Sequence, residues 1–162
     1  MKVEQIMTRE VKVCTEADSL NRAAELMWEF ECGCIPVIST DGDGKVVGIV
    51  TDRDVAMAAY TQGKQLWAIP VATAMAHKVI ACHADDGVSY AEALMRENRI
   101  RRLPVLDEND HLVGILSLDD IAREARRQAS AGRRVQVSGE GVSDTLASVS
   151  ERRTPREMTK AS

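Results

Sequence analysis

Aromatic side chains are nearly missing from this sequence: two Trp, two Tyr and one Phe make up 3% of its 162 residues. Any core must therefore be aliphatic, and 44% apolar content supplies enough Val, Ile, Leu, Ala and Met to bury one in a single domain or two small halves. No apolar run comes near the roughly 18 residues that span a bilayer. The opening Met1-Lys2-Val3-Glu4-Gln5 also lacks the apolar stretch of a secretory signal. A soluble, cytoplasmic protein without a membrane partner is expected. A basic footprint is missing too, since residues 1–127 carry 15 basic against 21 acidic side chains. That excludes a broad nucleic-acid surface, and any phosphate bound must be small and held locally. There is no Gly-rich phosphate loop, no activated nucleophile and no Ser/His/Asp or Cys/His set, so an enzyme is not expected.

Cysteines number four: Cys14, Cys32, Cys34 and Cys82. Cys32-Gly33-Cys34 does not have the spacing of a redox or zinc knuckle and no second close pair exists, so reduced thiols and no metal site are expected. Cys14 and Cys82 read as small buried hydrophobes.

What is present is a repeat. Residues 7–38 moved by 68 positions onto 75–106 give ten identities, among them Met7/Met75, Cys14/Cys82, Asp18/Asp86 and Pro36/Pro104. Six more follow from Val47 at a shift of 66, including Gly48/Gly114 and Asp54/Asp120. Two copies of one unit of about sixty residues thus fill most of the chain. Each reads as strand, helix, strand, strand, helix. The first strands are expected at Val11 to Cys14 and Val79 to Cys82. The next helices bury stripes at Leu20, Ala23, Ala24, Met27 and at Val88, Ala91, Leu94, Met95. The hairpins turn at Asp41-Gly42-Asp43-Gly44 and Asp107-Glu108-Asn109-Asp110. The closing helices run from Asp52 to about Tyr60 and from Leu118 to about Gln128. Met7 and Met75 are expected to pack a preceding turn onto each sheet.

The division is therefore 1–60, first repeat; 61–70, linker, with Trp67 tucked against the body; 71–128, second repeat; and 129–162, a polar C-terminal tail. In that tail helical periodicity stops. Val135-Gln136-Val137 could form a short strand, and the remainder reads as an unstructured or partner-dependent extension.

The stretch Gly48-Ile49-Val50-Thr51-Asp52-Arg53-Asp54 and its copy Gly114-Ile115-Leu116-Ser117-Leu118-Asp119-Asp120 carry the only recurrent chemistry. A hydroxyl residue ends a strand and an aspartate follows three positions on. Taken alone, the simpler reading is a capping box at a helix start. The sharper one is a nucleotide site, because helix-start amides attract phosphate and a carboxylate can hold two ribose hydroxyls.

Coupled to Met7-Thr8, Ile35-Pro36-Val37 and Leu103-Pro104-Val105 in this order and spacing, the repeated motif resembles that of a pair of CBS domains, a Bateman module, over roughly residues 1–127. The resemblance implies an α/β fold of two βαββα repeats packed as a pseudo-two-fold pair around a central cleft. It also implies a non-catalytic role: binding AMP, ADP or ATP there without any required cofactor, as an energy sensor that signals to a regulated partner. A homodimer is implied as well, and apolar stripes on the closing helices (Val55, Ala58, Ala59; Ile121, Ala125) support it. S-adenosylmethionine and NAD stay open as ligands. Asp54 and Asp120 would hold ribose. Thr51, Arg53, Ser117, Arg101 and Arg102 would meet phosphate. Val13, Cys14, Thr15, Ile35 and Pro36, with Ala81, Cys82, His83, Leu103 and Pro104, would line the adenine slot.

The two sites differ. Arg53 beside Asp54 suits phosphate, whereas Asp119 beside Asp120 repels it. Arg99, Arg101 and Arg102 read equally as a phosphate clamp or a solvated corner. The three histidines read as ordinary surface or strand residues. The alternative function is a protein-interaction scaffold with vestigial nucleotide sites.

Overall fold

The computed structural model describes residues 1–131 and 136–151. The expected order of elements appears twice: β1 (Cys14–Thr15), α1 (Leu20–Glu29), β2 (Cys34–Ile38), β3 (Val46–Thr51) and α2 (Asp52–Gln62), then β4 (Cys82–His83), α3 (Val88–Asn98), β5 (Arg102–Leu106), β6 (Leu112–Ser117) and α4 (Leu118–Ser130). The fold is α/β, with two three-stranded sheets ordered β1-β2-β3 and β4-β5-β6. β1 runs parallel to β2, pairing Cys14 with Val37, and β2 runs antiparallel to β3, pairing Cys34 with Thr51. The first strand of each repeat starts later than its apolar run suggests. Only Cys14–Thr15 and Cys82–His83 find partners, on Val37–Ile38 and Val105–Leu106.

α1 follows directly from its sequence. Ser19 caps it by accepting from the Arg22 amide, and Leu20, Ala23, Leu26 and Met27 form its buried stripe. That stripe closes on Cys14, Ile35, Val37 and Val50 of the sheet and on Val55 and Ala58 of α2. The expected dimer stripe on α2 is thus corrected: Val55 and Ala58 face this core and are spent inside the chain.

The chain forms two compact units whose limits cut across the repeats. One comprises Thr8–Ala84 and Pro104–Ile115; the other comprises Met1–Met7, Asp85–Leu103 and the described residues from Leu116 onward. In the first unit, the linker and the opening residues of the second repeat complete the core of the first. Ile69, Val71 and Met75 join the apolar cluster. The Leu20 amide donates to Ile69 at 2.8 Å, and the Val71 amide to Asp18 at 2.8 Å. Ile49 and Ala76 exchange two backbone hydrogen bonds at 3.1 and 2.9 Å, as do Thr8 and Ile115 at 2.9 Å each. The approach explains Gly48: a Cβ built there lies 2.5 Å from the Met75 sulfur. In the other unit the amino-terminal segment plays the matching part, the Val3 amide donating to Asp86 at 2.9 Å and the Val88 amide to Met1 at 3.1 Å.

Two further expectations are corrected. Trp67 is 68% exposed, because the turn Leu66–Ala68 directs Leu66 and Ile69 inward and leaves the indole outside, where it donates to Gln65. The tail is also not simply an extension. Residues Gly139–Ser150 form α5, capped by Ser138 and packed on α3 and α4. Its buried residue is Thr145, whose hydroxyl donates to the Gly141 carbonyl at 2.8 Å and accepts from Arg96 at 2.9 Å. A helix held through a threonine and an arginine shows little apolar periodicity. Val135 lies outside the described residues. Gln136 and Val137 form a bend whose amides donate to the Gln128 side chain at 2.7 and 3.2 Å.

Truncation of Ile69 to Ala should cost about 2–5 kcal/mol, the range for opening a cavity in an aliphatic core. Trp67→Ala should stay within about 0.5 kcal/mol of the parent, as surface changes do. Urea unfolding of the two variants checks the pair. Equal losses would contradict the inward placement of Ile69.

Candidate functional site

Both copies of the strand-to-helix motif fold into complete capping boxes. β3 passes into α2 without a loop, so Thr51 is at once the last strand residue and the N-cap. Its amide donates to Asp54 Oδ2 at 2.9 Å and its hydroxyl to the same oxygen at 2.7 Å; the Asp54 amide returns a bond to the Thr51 hydroxyl at 3.3 Å. In the second copy Ser117 donates to Asp120 Oδ2 from amide and hydroxyl at 2.8 and 2.6 Å, and the Asp120 amide returns a bond at 3.1 Å. The carboxylate occupies the third helical position, where the helix dipole also favours it.

The boxes engage groups that the resemblance assigns to phosphate. Thr51 directs both donors to Asp54. The next amide, Asp52, donates to the Gly33 carbonyl at 3.3 Å, and the Arg53 amide to the Asp52 side chain at 2.7 Å. What each box leaves is the other carboxylate oxygen, and here the copies part. Oδ1 of Asp120 accepts from Arg123, one turn along α4, and Asp120 is only 7% exposed. Among the described residues nothing donates to Oδ1 of Asp54, which is half-buried and has an exposed Arg53 beside it. Sequence reasoning missed Arg123 because its counterpart in the first repeat, Met57, carries no charge; the available signal is the three-residue spacing of Asp120 and Arg123 on one helix face.

The remaining expected site residues fall into two groups. In the first repeat, Cys14, Ile35 and Pro36 are buried, while Val13 and Thr15 are half-buried at the sheet edge. Thr15 repeats the box motif in miniature, its amide and hydroxyl donating to Asp18 Oδ2 at 2.7 and 2.9 Å. In the second, Cys82, Leu103 and Pro104 are buried, Ala81 is half-buried, and the exposed His83 places Nδ1 3.2 Å from the Asp107 carbonyl. Arg102 is half-buried. Arg101 is exposed and donates to Ser150 of α5 at 3.2 Å, so it is turned toward the tail helix. Leu103, Ser117, Asp120, Arg101 and Arg102 belong to a different compact unit from the first-repeat residues.

Nucleophilic chemistry finds no foothold in the Cys14 thiol. Burial, with Asp18 adding repulsion, pushes the Cys14 thiol up to about 11, so it stays protonated at neutral pH. Among the described residues no three His, Cys, Asp or Glu side chains group as a metal site, and no helix is long and apolar enough to cross a membrane.

Duplicated βαββα units, each closing on a Thr/Ser–Asp box, agree with a family model, "CBS domain", that matches residues 3–60 and again 71–127. The chain belongs to the CBS domain family. A CBS domain-containing protein of Bacillus subtilis, YhcV, is 34% identical over 130 residues, covering 80% of this chain and 89% of its own. The CBS domain pair of protein MJ0100, solved with 5'-methylthioadenosine and S-adenosyl-L-methionine, superimposes with a TM-score of 0.70 at 26% identity, over 79% of this chain and 98% of its own. CBSX2, solved with AMP, gives a TM-score of 0.68 at 26% identity over the same shares of the two chains. This chain's match is to the CBS pair alone; relatives that are enzymes carry further sequence beyond it, a homoserine O-acetyltransferase of Methanocorpusculum labreanum being covered over 24% of its length.

Thiol titration separates the four cysteines of this CBS pair. Cys32 is half-buried, whereas Cys14, Cys34 and Cys82 are buried. Ellman's reagent at pH 8 should therefore titrate one thiol per chain quickly and the other three only after denaturation. Rapid reaction of two or more in the folded protein would contradict the placement.

Proposed function

We propose that this CBS pair is a non-catalytic regulatory module that binds an adenine nucleotide, AMP, ADP or ATP, in the cleft between its repeats and signals its occupancy to a partner protein. In this reading 1–60 and 71–128 are the repeats, 61–70 joins them, and 129–162 is the candidate contact for the partner. It needs no cofactor, works in the cytoplasm as an energy sensor and assembles as a homodimer.

The observation that carries the reading is the unlike fate of two like carboxylates. A cis-diol needs an acceptor oxygen, and Asp54 keeps Oδ1 without a donor among the described residues, whereas Arg123 occupies that of Asp120. Arg53 adds an exposed planar cation where phosphate would lie, and the second motif has Asp119 there. Asp54 is therefore the principal ribose anchor and Arg53 the principal phosphate contact, with Thr51 holding the carboxylate in place. Val13, Thr15, Ile35 and Pro36 supply the adenine side. The AMP found with CBSX2 supports the ligand class. The second site, poor in phosphate contacts, favours a phosphate-free adenosyl compound such as S-adenosylmethionine, in keeping with the ligands seen on MJ0100. Signalling then requires that the charged ligand prefer one packing of the repeats over another.

Calorimetric titration with AMP, ADP, ATP, NAD and S-adenosylmethionine tests this. Asp54→Asn keeps an acceptor for the helix cap and loses the charged diol partner, so it should weaken nucleotide binding tenfold or more, about 1.4 kcal/mol. Asp120→Asn should change it less than threefold. Binding of none of the five by folded, nucleotide-free protein would favour the scaffold with vestigial sites.

A further inference from the structure

The tail helix α5 is seated on the second repeat by unusual means. Of its residues Gly139–Ser150, only Glu140, Leu146 and Ala147 are strong helix formers, and two glycines stand in its first turn. A helix this short and this poor in helix formers does not hold itself, so it forms by packing on α3 and α4. Yet its buried residue is Thr145, whose hydroxyl accepts from Arg96 at 2.9 Å.

The seat also contains a fault. Glu92 of α3 is only 8% exposed, and its Oε1 meets no donor among the described residues. A Cβ built on Gly141 lies 3.5 Å from that oxygen, so the carboxylate stands against the first turn of α5. Burial pushes the Glu92 carboxyl up, against the pull of Arg96. A buried carboxylate oxygen without a partner opposes the packing that buries it, and α5 is therefore docked without being locked.

The far end of α5 engages an arginine that belongs to the second strand-to-helix box. The Arg101 carbonyl accepts from the amide of Leu118, the residue after the Ser117 cap, at 2.9 Å. Its exposed guanidinium meanwhile donates to Ser150 at 3.2 Å, and Arg99 pairs with Glu151 at 3.5 Å. In the first repeat the matching backbone bond runs from the Asp52 amide to Gly33 at 3.3 Å, and glycine has no side chain to contribute. The cation of that copy is Arg53, whose counterpart in the second is the acidic Asp119. Arg101 is thus a cation fixed at the second box by its backbone and drawn toward α5 by its side chain. A neutral hydroxyl at the surface is a weaker partner for a guanidinium than a phosphate, which binds it in charge-assisted pairs. One guanidinium cannot serve both.

We infer that α5 is a strap that sets the phosphate response of the second box: docked, it holds Arg101 on Ser150 and favours a phosphate-free adenosyl compound, whereas a phosphate-bearing ligand recruits Arg101 and loosens α5. This deepens the ligand reading above, on which it rests, by naming the residue and the segment through which occupancy is reported. Coupling is reciprocal, so whatever affinity for phosphate α5 removes, phosphate removes from the docking of α5. The signal thereby reaches 129–162, the segment proposed above to meet the partner.

Hydrogen exchange of α5 in the full chain, read by mass spectrometry, tests the strap. Saturating AMP should speed exchange of residues 139–150 by about fivefold, the net worth of one hydrogen bond, and adenosine, which lacks phosphate, should leave it unchanged. Arg101→Gln should abolish the AMP effect. Ser150→Ala leaves Thr145 and Glu151 in place and releases Arg101, so in an Asp54→Asn background it should raise the preference for AMP over adenosine by about the same factor. The inference is overturned by α5 exchange that is unprotected before any ligand is added, that ignores AMP, that responds equally to adenosine, or that keeps its AMP response in Arg101→Gln. An AMP preference unaltered by Ser150→Ala overturns it too. Adenine ligands that bind without moving α5 leave the ligand reading standing and remove the strap. Where no adenine compound binds, inorganic pyrophosphate takes the place of AMP: faster α5 exchange that requires Arg101 supports the strap while the ligand reading falls, and indifference to pyrophosphate overturns both.

Discussion

The carboxylate that closes each strand onto its following helix is the constraint on which the structure turns. Oδ2 of Asp54 and of Asp120 each takes two donors, the amide and hydroxyl of the preceding Thr51 or Ser117. This permits β3 and β6 to become α2 and α4 with no intervening loop, and it holds the side chain in one rotamer. Charge-assisted bonds of this kind are short and directional. The remaining oxygen is therefore presented in a defined place, available in the first copy and paired with Arg123 in the second. Cap and candidate ligand anchor are one group with two oxygens, so the bland and the sharp readings of the motif are compatible.

A second constraint is that neither repeat closes its core unaided. Ile69, Val71 and Met75 complete the core around α1, and Val3 lies fully buried beside the start of α3. The first of these segments spans the linker and the opening of the second repeat and serves α1; the other opens the first repeat and serves α3. With an aliphatic core and no buried aromatic ring, the borrowed residues are a sizeable part of the apolar burial on which stability depends. The exchange also ties the two copies into one folding problem, and Gly48 belongs to it: the backbone there must pass Met75 too closely for a side chain.

Duplication with divergence accounts for the asymmetry of the molecule. The repeats agree where geometry is shared: the box, the glycine before it, the proline of β2 and β5, and the methionine ahead of each sheet. They differ where a surface meets something else. Arg123 stands against Met57, Asp119 against Arg53, and Arg96 against Trp28. The first set maintains the fold, and the second gives each half its own surface chemistry.

Local chemistry is legible in the order of the residues. The succession of elements, the Ser19 cap, the α1 stripe and the Thr51–Asp54 and Ser117–Asp120 boxes all follow from residues within four positions of each other, a distance over which spacing along the chain is spacing in three dimensions. The family follows from the duplication of those local signals. Other features depend on groups far apart along the chain, and no local pattern announces them. β1 pairs only through Cys14 and Thr15, with Val37 and Ile38. Ile69 is core and Trp67 is surface because one turn docks on α1. α5 forms because Thr145 finds Arg96, 49 residues away, and Arg123 silences one carboxylate oxygen through a side-chain conformation that no spacing dictates. Residue order alone thus dictates which segments become strands and helices and where the two boxes lie. Which partners those segments share, and which carboxylate oxygen stays open, emerges only when the chain is packed, because both depend on contacts between residues remote in sequence.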